Sequence, residues 1–312
     1  MQENKGNYII GSGISGLIWK YYHPEFQIIS PDIAGGNYAK TYLVWFHDTF
    51  ETRKLLVDLG LPIKTKKSYI GYYYKGWLND NLTTDMNLMM IQKKMTAWDK
   101  PVDTDFVPKT KELSMSSTGG TNYMNCLDVD LEEVVKRLNE KNDNPISGFV
   151  TKIDSAELQY KTDFKSDLTH HEPYSKIIST MAAPFFWKAY GQEKGEFRCL
   201  PITNVIVKNK PPCFDGRYEM CYYDDSVPFS RISHMGDVWA IEITGEMTRE
   251  KFEELYPDLT VQDIFTVKQG RIFENEDNSP PNENIVFSGR FAQWLYGVTT
   301  EHVIHQAINA KL

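Results

Sequence analysis

The 312-residue chain carries 34 Lys and Arg against 42 Asp and Glu, a formal net charge of −8, with 41% apolar and 24% charged residues. This is ordinary globular composition, long enough for one large or two modest domains with a real core. The acidic balance excludes attraction of the whole molecule to nucleic acid or anionic membrane and leaves only local basic patches. No run approaches the roughly 20 apolar residues that cross a bilayer, and the opening residues are not a signal peptide. A soluble, cytoplasmic protein without membrane contact is expected. Cys126, Cys199, Cys213 and Cys221 lie far apart without C-x-x-C spacing, so free thiols are expected rather than a zinc site or disulfides. Aromatic content is 13%, with 18 Tyr and 7 Trp, more than a core needs, and some rings are expected to line a ligand site.

In chain order, Asn7–Ile10 reads as a short strand, Gly11-Ser12-Gly13-Ile14-Ser15-Gly16 as a glycine turn and Leu17–Tyr22 as a helix. Gly11 permits the tight turn, Gly13 lets backbone N–H groups approach a pyrophosphate, and Gly16 lets the helix pack closely on the strand. Ile14 and Ser15, inside the turn, are expected among the cofactor contacts. The alternative is a glycine-rich connection in another α/β unit. A second strand, Phe26–Ser30, ends where a dinucleotide site needs a ribose-binding acid; Ser30 holds that position, with Asp32 two residues later. The glycine pair Gly35-Gly36, followed by Asn37, resembles the same region of FAD enzymes of the amine-oxidase and UDP-galactopyranose mutase kind. FAD is therefore the expected cofactor.

Further along, Phe46-His47-Asp48-Thr49 resembles the Phe-His-Thr stretch of the mutases, which implies that His47 lies near the flavin; otherwise it is a surface histidine before the helix Thr49–Leu59. Ser117–Tyr123, with its own Gly-Gly pair, resembles the return from substrate region to cofactor domain. The helix Leu131–Leu138 and the strand Gly148–Asp154 follow, with Val150 among the implied cofactor contacts. Tyr174–Pro184 reads as a buried strand ending in a proline turn, similar to a segment of flavin amine oxidases. Pro228-Phe229-Ser230-Arg231-Ile232 is similar to a Pro-Tyr-Thr-Arg-Ile stretch of the mutases, with Phe229 in place of the tyrosine. Arg231 is thereby implied to clamp a diphosphate or carboxylate with its bidentate fork. The bland alternative is a salt bridge to Asp224 or Asp225. No second phosphate-binding arginine is placed: Arg198 and Arg217 are available but sit in no recognisable motif. The strand Asn284–Phe287, Gly289-Arg290, Trp294, Tyr296 and the helix Thr300–Ile308 resemble the superfamily's closing motif.

Residues 64–77 interleave lysines with aromatics, which suits either contact with DNA or a strand pair edged by lysines. Residues 212–245 read as antiparallel strands, Met86–Met95 as a short helix, His170-His171 as a hairpin tip without a metal, and 274–284 as a surface loop. The fold class is α/β: a Rossmann-like FAD-binding domain of the glutathione-reductase type (1–62, 115–185, 265–312) with a second, mainly antiparallel β substrate domain (63–114, 186–264). The resemblance implies flavin-N5 redox chemistry at a C–N bond of an amine or amino-acid-like group. The amine would stack between Trp294, Tyr296 and second-domain aromatics, with Arg231 holding an acidic group of a small-molecule or nucleotide-linked substrate. One version is a lyase or oxidase acting on an amino-acid-modified nucleobase in viral DNA. The alternatives are a UDP-galactopyranose-mutase-like isomerase and a non-catalytic FAD-binding scaffold.

Overall fold

The computed structural model describes residues 5–31, 46–105 and 123–312, apart from 164, 166, 213 and 276. The chain divides into two compact units, one of residues 1–64, 128–197 and 273–312 and one of residues 65–127 and 198–272. The first unit opens with β1 (Gly6–Ile10), α1 (Ile14–Tyr22), β2 (Gln27–Ser30), β3 (Phe46–His47) and α2 (Phe50–Asp58). The chain enters the second unit with β4 (Thr65–Tyr74), β5 (Trp77–Asn79), α3 (Thr84–Lys94) and β6 (Tyr123–Leu127). It returns for α4 (Leu131–Asn139), β7 (Ile146–Ser147), β8 (Phe149–Ile153), β9 (Glu157–Lys161), β10 (His170–Ser179) and α5 (Ala183–Tyr190). The second unit is then built out by β11 (Cys199–Val207), β12 (Met220–Tyr223), β13 (Arg231–Met235), β14 (Val238–Thr244), α6 (Arg249–Leu255) and β15 (Val261–Ile272). The first closes with β16 (Ile285–Phe287), α7 (Arg290–Gln293) and α8 (Thr300–Asn309).

In the first unit the strand order is β7-β2-β1-β10-β9-β8, with β16 also on β10. The strands β2, β1, β10 and β16 are parallel where they pair. Ile9, Ile10, Ile28, Ile29, Ile177 and Ile178 are buried, as strands covered on both faces require. The start of β10 instead pairs antiparallel with β9. The indole N–H of Trp19 in α1 donates to Ser288 Oγ at 2.7 Å, a buried bond that ties the first helix to the end of the last strand.

Two local expectations are corrected here. Pro184 starts a helix rather than a turn: it sits in the first turn of α5, where a missing N–H costs nothing, and Phe186 and Trp187 bury against Phe287. That packing places residues 186–197 in the first unit. His170 and His171 are not a hairpin tip but the paired start of β10, opposite Tyr160 and Gln159. His170 stacks on Tyr160 at 4.9 Å, and His171 lies 2.8 Å from Glu157.

In the second unit the strand order is β15-β11-β14-β13-β12-β4-β6, with β5 paired to β4. Neighbours are antiparallel except β12, which runs parallel to β4. One core gathers Val205, Cys221, Ile232, Ile241 and Ile243 with Phe252 of α6. A second joins Ile70 and Tyr72 to Met86 and Met90 of α3, so these methionines are core. Residues 64–77 form the β4–β5 hairpin, its turn made by Lys75 and Gly76 at positive φ. Tyr72 stacks on Tyr222 at 6.0 Å and Tyr73 packs on Tyr223 at 5.6 Å, so half of the tyrosine run is spent inside the sheet.

Candidate functional site

The amino-terminal glycines let strand, turn and helix approach one another closely. Gly11, at φ +104°, donates its N–H to Ile29 O at 2.9 Å, and a side chain there would collide with Thr180 Oγ1. A Cβ on Gly16 would lie 2.0 Å from Gly11 O, so helix α1 meets the turn at a separation only glycine permits. Gly13, the N-cap of α1, is the opposite case: nothing lies within 4 Å of the position a Cβ would take. A glycine N-cap offers no side-chain acceptor to the first-turn N–H groups, and the space beside it is open. Ile14 is buried beneath this turn and Ser15 is half-buried at its rim.

The end of β2 completes one side. Ser30 is buried and receives a 3.0 Å hydrogen bond from Ser12 Oγ. Its carbonyl accepts from Gly148 N at 3.1 Å, so β7 leads directly into the segment holding Val150. Asp32, Gly35, Gly36 and Asn37 lie outside the described residues.

The closing motif arrives at the same place. Gly289 sits at φ +85°, ψ 161°, and a Cβ there would lie 2.6 Å from Ser15 Oγ, so the last strand's turn abuts the first turn of α1. Residues read from opposite ends of the sequence thus share one contact. That backbone region belongs to glycine, and Gly289→Ala is expected to cost about 1–3 kcal/mol, seen as a lower urea midpoint. Arg290 lies over the ring of Tyr296 at 4.2 Å, and Tyr296 N–H donates to Glu274 at 3.2 Å. Trp294 is corrected: it is fully buried at a left-handed helix end, its ring edge-on to Phe197 at 5.3 Å, and so serves as core rather than as an open stacking platform.

His47 is paired rather than loose on the surface. Its Nδ1 lies 2.8 Å from Oε1 of Glu301, in the first turn of α8. Its hydrogen bond to the Glu301 carboxylate holds the imidazole above its ordinary value despite burial. Burial alone would raise Glu301, but the bond from His47 brings it below the usual carboxylate range.

In the second unit Arg231 does make a salt bridge, but to neither aspartate considered. Register places it opposite Glu242 of β14, and its Nη2 reaches Oε2 at 2.7 Å. Asp224 is instead occupied by Lys75 N–H and Ser226. The other Glu242 oxygen binds Arg271 of β15 and accepts from Ser230 Oγ at 3.2 Å. Burial would raise Glu242, yet Arg231, Arg271 and Lys94 together hold it far below the ordinary carboxylate range. Lys94 itself lies 4.2 Å from the Tyr222 ring centre. Sequence reasoning missed Glu242, Arg271, Lys94 and Glu301. The one available signal was a glutamate inside the apolar alternation of residues 239–244, which demands a buried cation.

Among the described residues no group of three or more His, Cys, Asp or Glu could hold a metal. None of the helices among them is long and apolar enough to cross a membrane.

No protein-family model matches the sequence. No curated protein matches it either. Solved structures do. Reduced UDP-galactopyranose mutase aligns over 98% of this chain and 92% of its own at 12% identity, with a TM-score of 0.64. A CLA-producing fatty acid isomerase from P. acnes aligns over 99% and 98% at 11% identity, TM-score 0.63. Putrescine oxidase bound to putrescine aligns over 97% of both chains at 11% identity, TM-score 0.58. The fold of this chain is the mixed α/β fold that these three enzymes share.

Proposed function

We propose that the protein is an FAD-dependent enzyme whose first unit holds the dinucleotide and whose second unit supplies the substrate contacts. The observation that carries this reading is the meeting of Gly289 with Ser15 beside the open N-cap Gly13. The first-turn N–H groups of α1 would bind the pyrophosphate, and Ser30 and the Val150 segment would border the adenosine. Bound FAD supplies redox chemistry at its N5 position. The first reading is redox at a C–N bond of an amine or amino-acid-like substrate, in line with the likeness to putrescine oxidase. Arg231, steadied by Glu242, would orient an acidic group of that substrate.

A second reading, a mutase-like sugar-nucleotide isomerase, rests on Phe46-His47 and Arg231 and on the likeness to reduced UDP-galactopyranose mutase. Arg271 shares the carboxylate that holds Arg231 but is buried there. The version acting on a modified nucleobase draws only on Lys67, Tyr69 and Trp77, the outward part of a hairpin that is otherwise sheet.

The purified protein should show flavin absorbance, or acquire it on incubation with FAD. Anaerobic addition of amines should bleach it under the first reading. Under the second, UDP-galactose should react only after dithionite reduction, with the flavin returned unchanged. A protein that neither carries nor takes up FAD defeats both.

A further inference from the structure

Among the described residues, strand β16 pairs with β10 alone, so its other edge is free. Ile177 N–H donates to Asn284 O at 2.8 Å and Ser288 N–H to Ser179 O at 3.0 Å. Residues 284, 286 and 288 therefore turn their backbone groups to β10, and Ile285 and Phe287 turn theirs to the free edge. On that side Ile285 N–H donates to Asn282 O at 3.3 Å, and Phe287 O accepts from Gln293 Nε2 at 3.3 Å and from Gln306 Nε2 at 3.1 Å. The carbonyl of Ile285 and the N–H of Phe287 bond to no described residue, although both residues are buried. Buried backbone groups left in this state are normally met by a partner from outside the chain.

A cavity of about 400 Å³ lies against this edge, with β16 as one wall. That volume falls in the range of small-ligand sites, about 300–1,000 Å³. Its polar lining is Asn275, Asn278, Ser279, Gln293 and Gln306, and no charged side chain lines it. The carboxamides are fixed in advance. Asn278 Oδ1 accepts from Trp187 Nε1 at 2.7 Å and its Nδ2 donates to Ala292 O at 2.8 Å, while Gln293 and Gln306 share Phe287 O.

We propose that this cavity binds one extended, uncharged amino-acid unit, such as a peptide strand or an N-acylated amino-acid amide presents, laid parallel to β16. In a parallel ladder a residue donates its N–H to the carbonyl just before the residue it faces and accepts from the N–H just after it. A unit facing Val286 thus donates to Ile285 O and accepts from Phe287 N–H, the two groups left open. With only three residues, β16 offers one such bridge, so a single unit is specified rather than a long strand. The neutral lining sets the charge of the ligand. A free carboxylate or ammonium would give up its water there without gaining a counter-ion, so both ends of the unit must be blocked. None of Gly11, Gly13, Ser15 or Gly289 lines the cavity, and the inference does not rest on the cofactor reading.

The test is a titration of the full-length, isotope-labelled protein with N-acetyl-L-valine N-methylamide, read by NMR at the backbone amide of Phe287. So small a ligand is expected to bind with a Kd on the order of 1–10 mM and to move that amide saturably. N-acetyl-L-valine, with a free carboxylate, and L-valinamide, with a free amine, should bind at least about tenfold more weakly. Ser279→Trp enlarges an exposed lining residue and should abolish the shift without lowering the Tm. A doubly blocked Ala-Val-Ala peptide separates the two sources of the ligand. Binding about tenfold tighter than the single unit points to a peptide partner, and equal binding to a small molecule. The titration is run with added FAD and without it, and the same response is expected in both. An unmoved Phe287 amide, an equal response to the charged analogues, or a shift that survives in Ser279→Trp would overturn the proposal. A response only in the presence of FAD would overturn it too, because the cavity would then belong to the cofactor site.

Discussion

Alanine at position 16 is expected to destabilise the protein by about 3 kcal/mol and to leave it unable to retain flavin. The added methyl would lie 2.0 Å from the carbonyl oxygen of Gly11, which is backbone and cannot swing aside. Relief must come from moving α1 away from the turn, and α1 carries both the first-turn N–H groups and Trp19, whose indole is bonded to Ser288. Gly13→Ala is the informative companion, because its methyl meets nothing within 4 Å. It should leave the melting temperature nearly unchanged while weakening FAD binding, since the space it fills is the space a pyrophosphate would use. A Gly13→Ala protein that binds FAD as tightly as the wild type would show that the open N-cap is not where the anion sits. Thermal melts and fluorescence titration with FAD separate the two effects.

The second large effect is expected at Glu242. Glu242→Ala removes the carboxylate that Arg231 and Arg271 share beside Lys94 in a mostly buried setting, and loss of one partner from such a group typically costs about 3–5 kcal/mol. Urea unfolding should show this as a lower midpoint with an unchanged slope. The folded carboxyl is held well below its ordinary value, so its stabilisation is present above the ordinary glutamate range and is lost as pH falls through the depressed folded value. The Glu242→Gln protein should therefore lose stability less steeply in strong acid than the wild type. A Glu242→Ala protein as stable as the wild type would mean that Arg231 and Arg271 find other partners, and the cluster would then not be held by this carboxylate.

What was legible in the sequence is what local chemistry determines. The glycine turn after β1, the helix after Thr49 and the strand before Gly289 follow from spacing within a few residues, although helix α1 begins at Ile14, three residues before the expected Leu17. The helix after Asp130 is of the same kind, its N-cap carboxylate accepting from the next turn. Pro184 was misread because proline ends a strand and begins a helix with equal ease, and only the burial of Phe186 and Trp187 decides between them. The partner of Arg231 was beyond sequence reasoning for a different reason. Asp224 and Asp225 are near in the chain, but Glu242 is opposite in register, and register depends on the pairing of β13 with β14. Arg271 is further removed, since it reaches Glu242 from β15, which neighbours β11 rather than β14. Trp294 was taken as a platform because aromatic residues near a closing motif suggest stacking, whereas its left-handed backbone turns the ring inward onto Phe197.

The parallel pairing of β4 with β12 has a consequence for how the chain is made. During synthesis β4, β5 and β6 emerge early, while β12 emerges only after the segment that returns to the first unit. Until then the β12-facing edge of β4 is open, and it presents Ile70, Tyr72 and Tyr73 beside unfilled backbone hydrogen bonds. Such an edge is a template for pairing with another nascent chain. Lys66 and Lys67 at the start of the same strand supply the charge that discourages this. The lysine-rich approach to the tyrosine run can thus be understood as a safeguard of biosynthesis, acting before the folded protein exists.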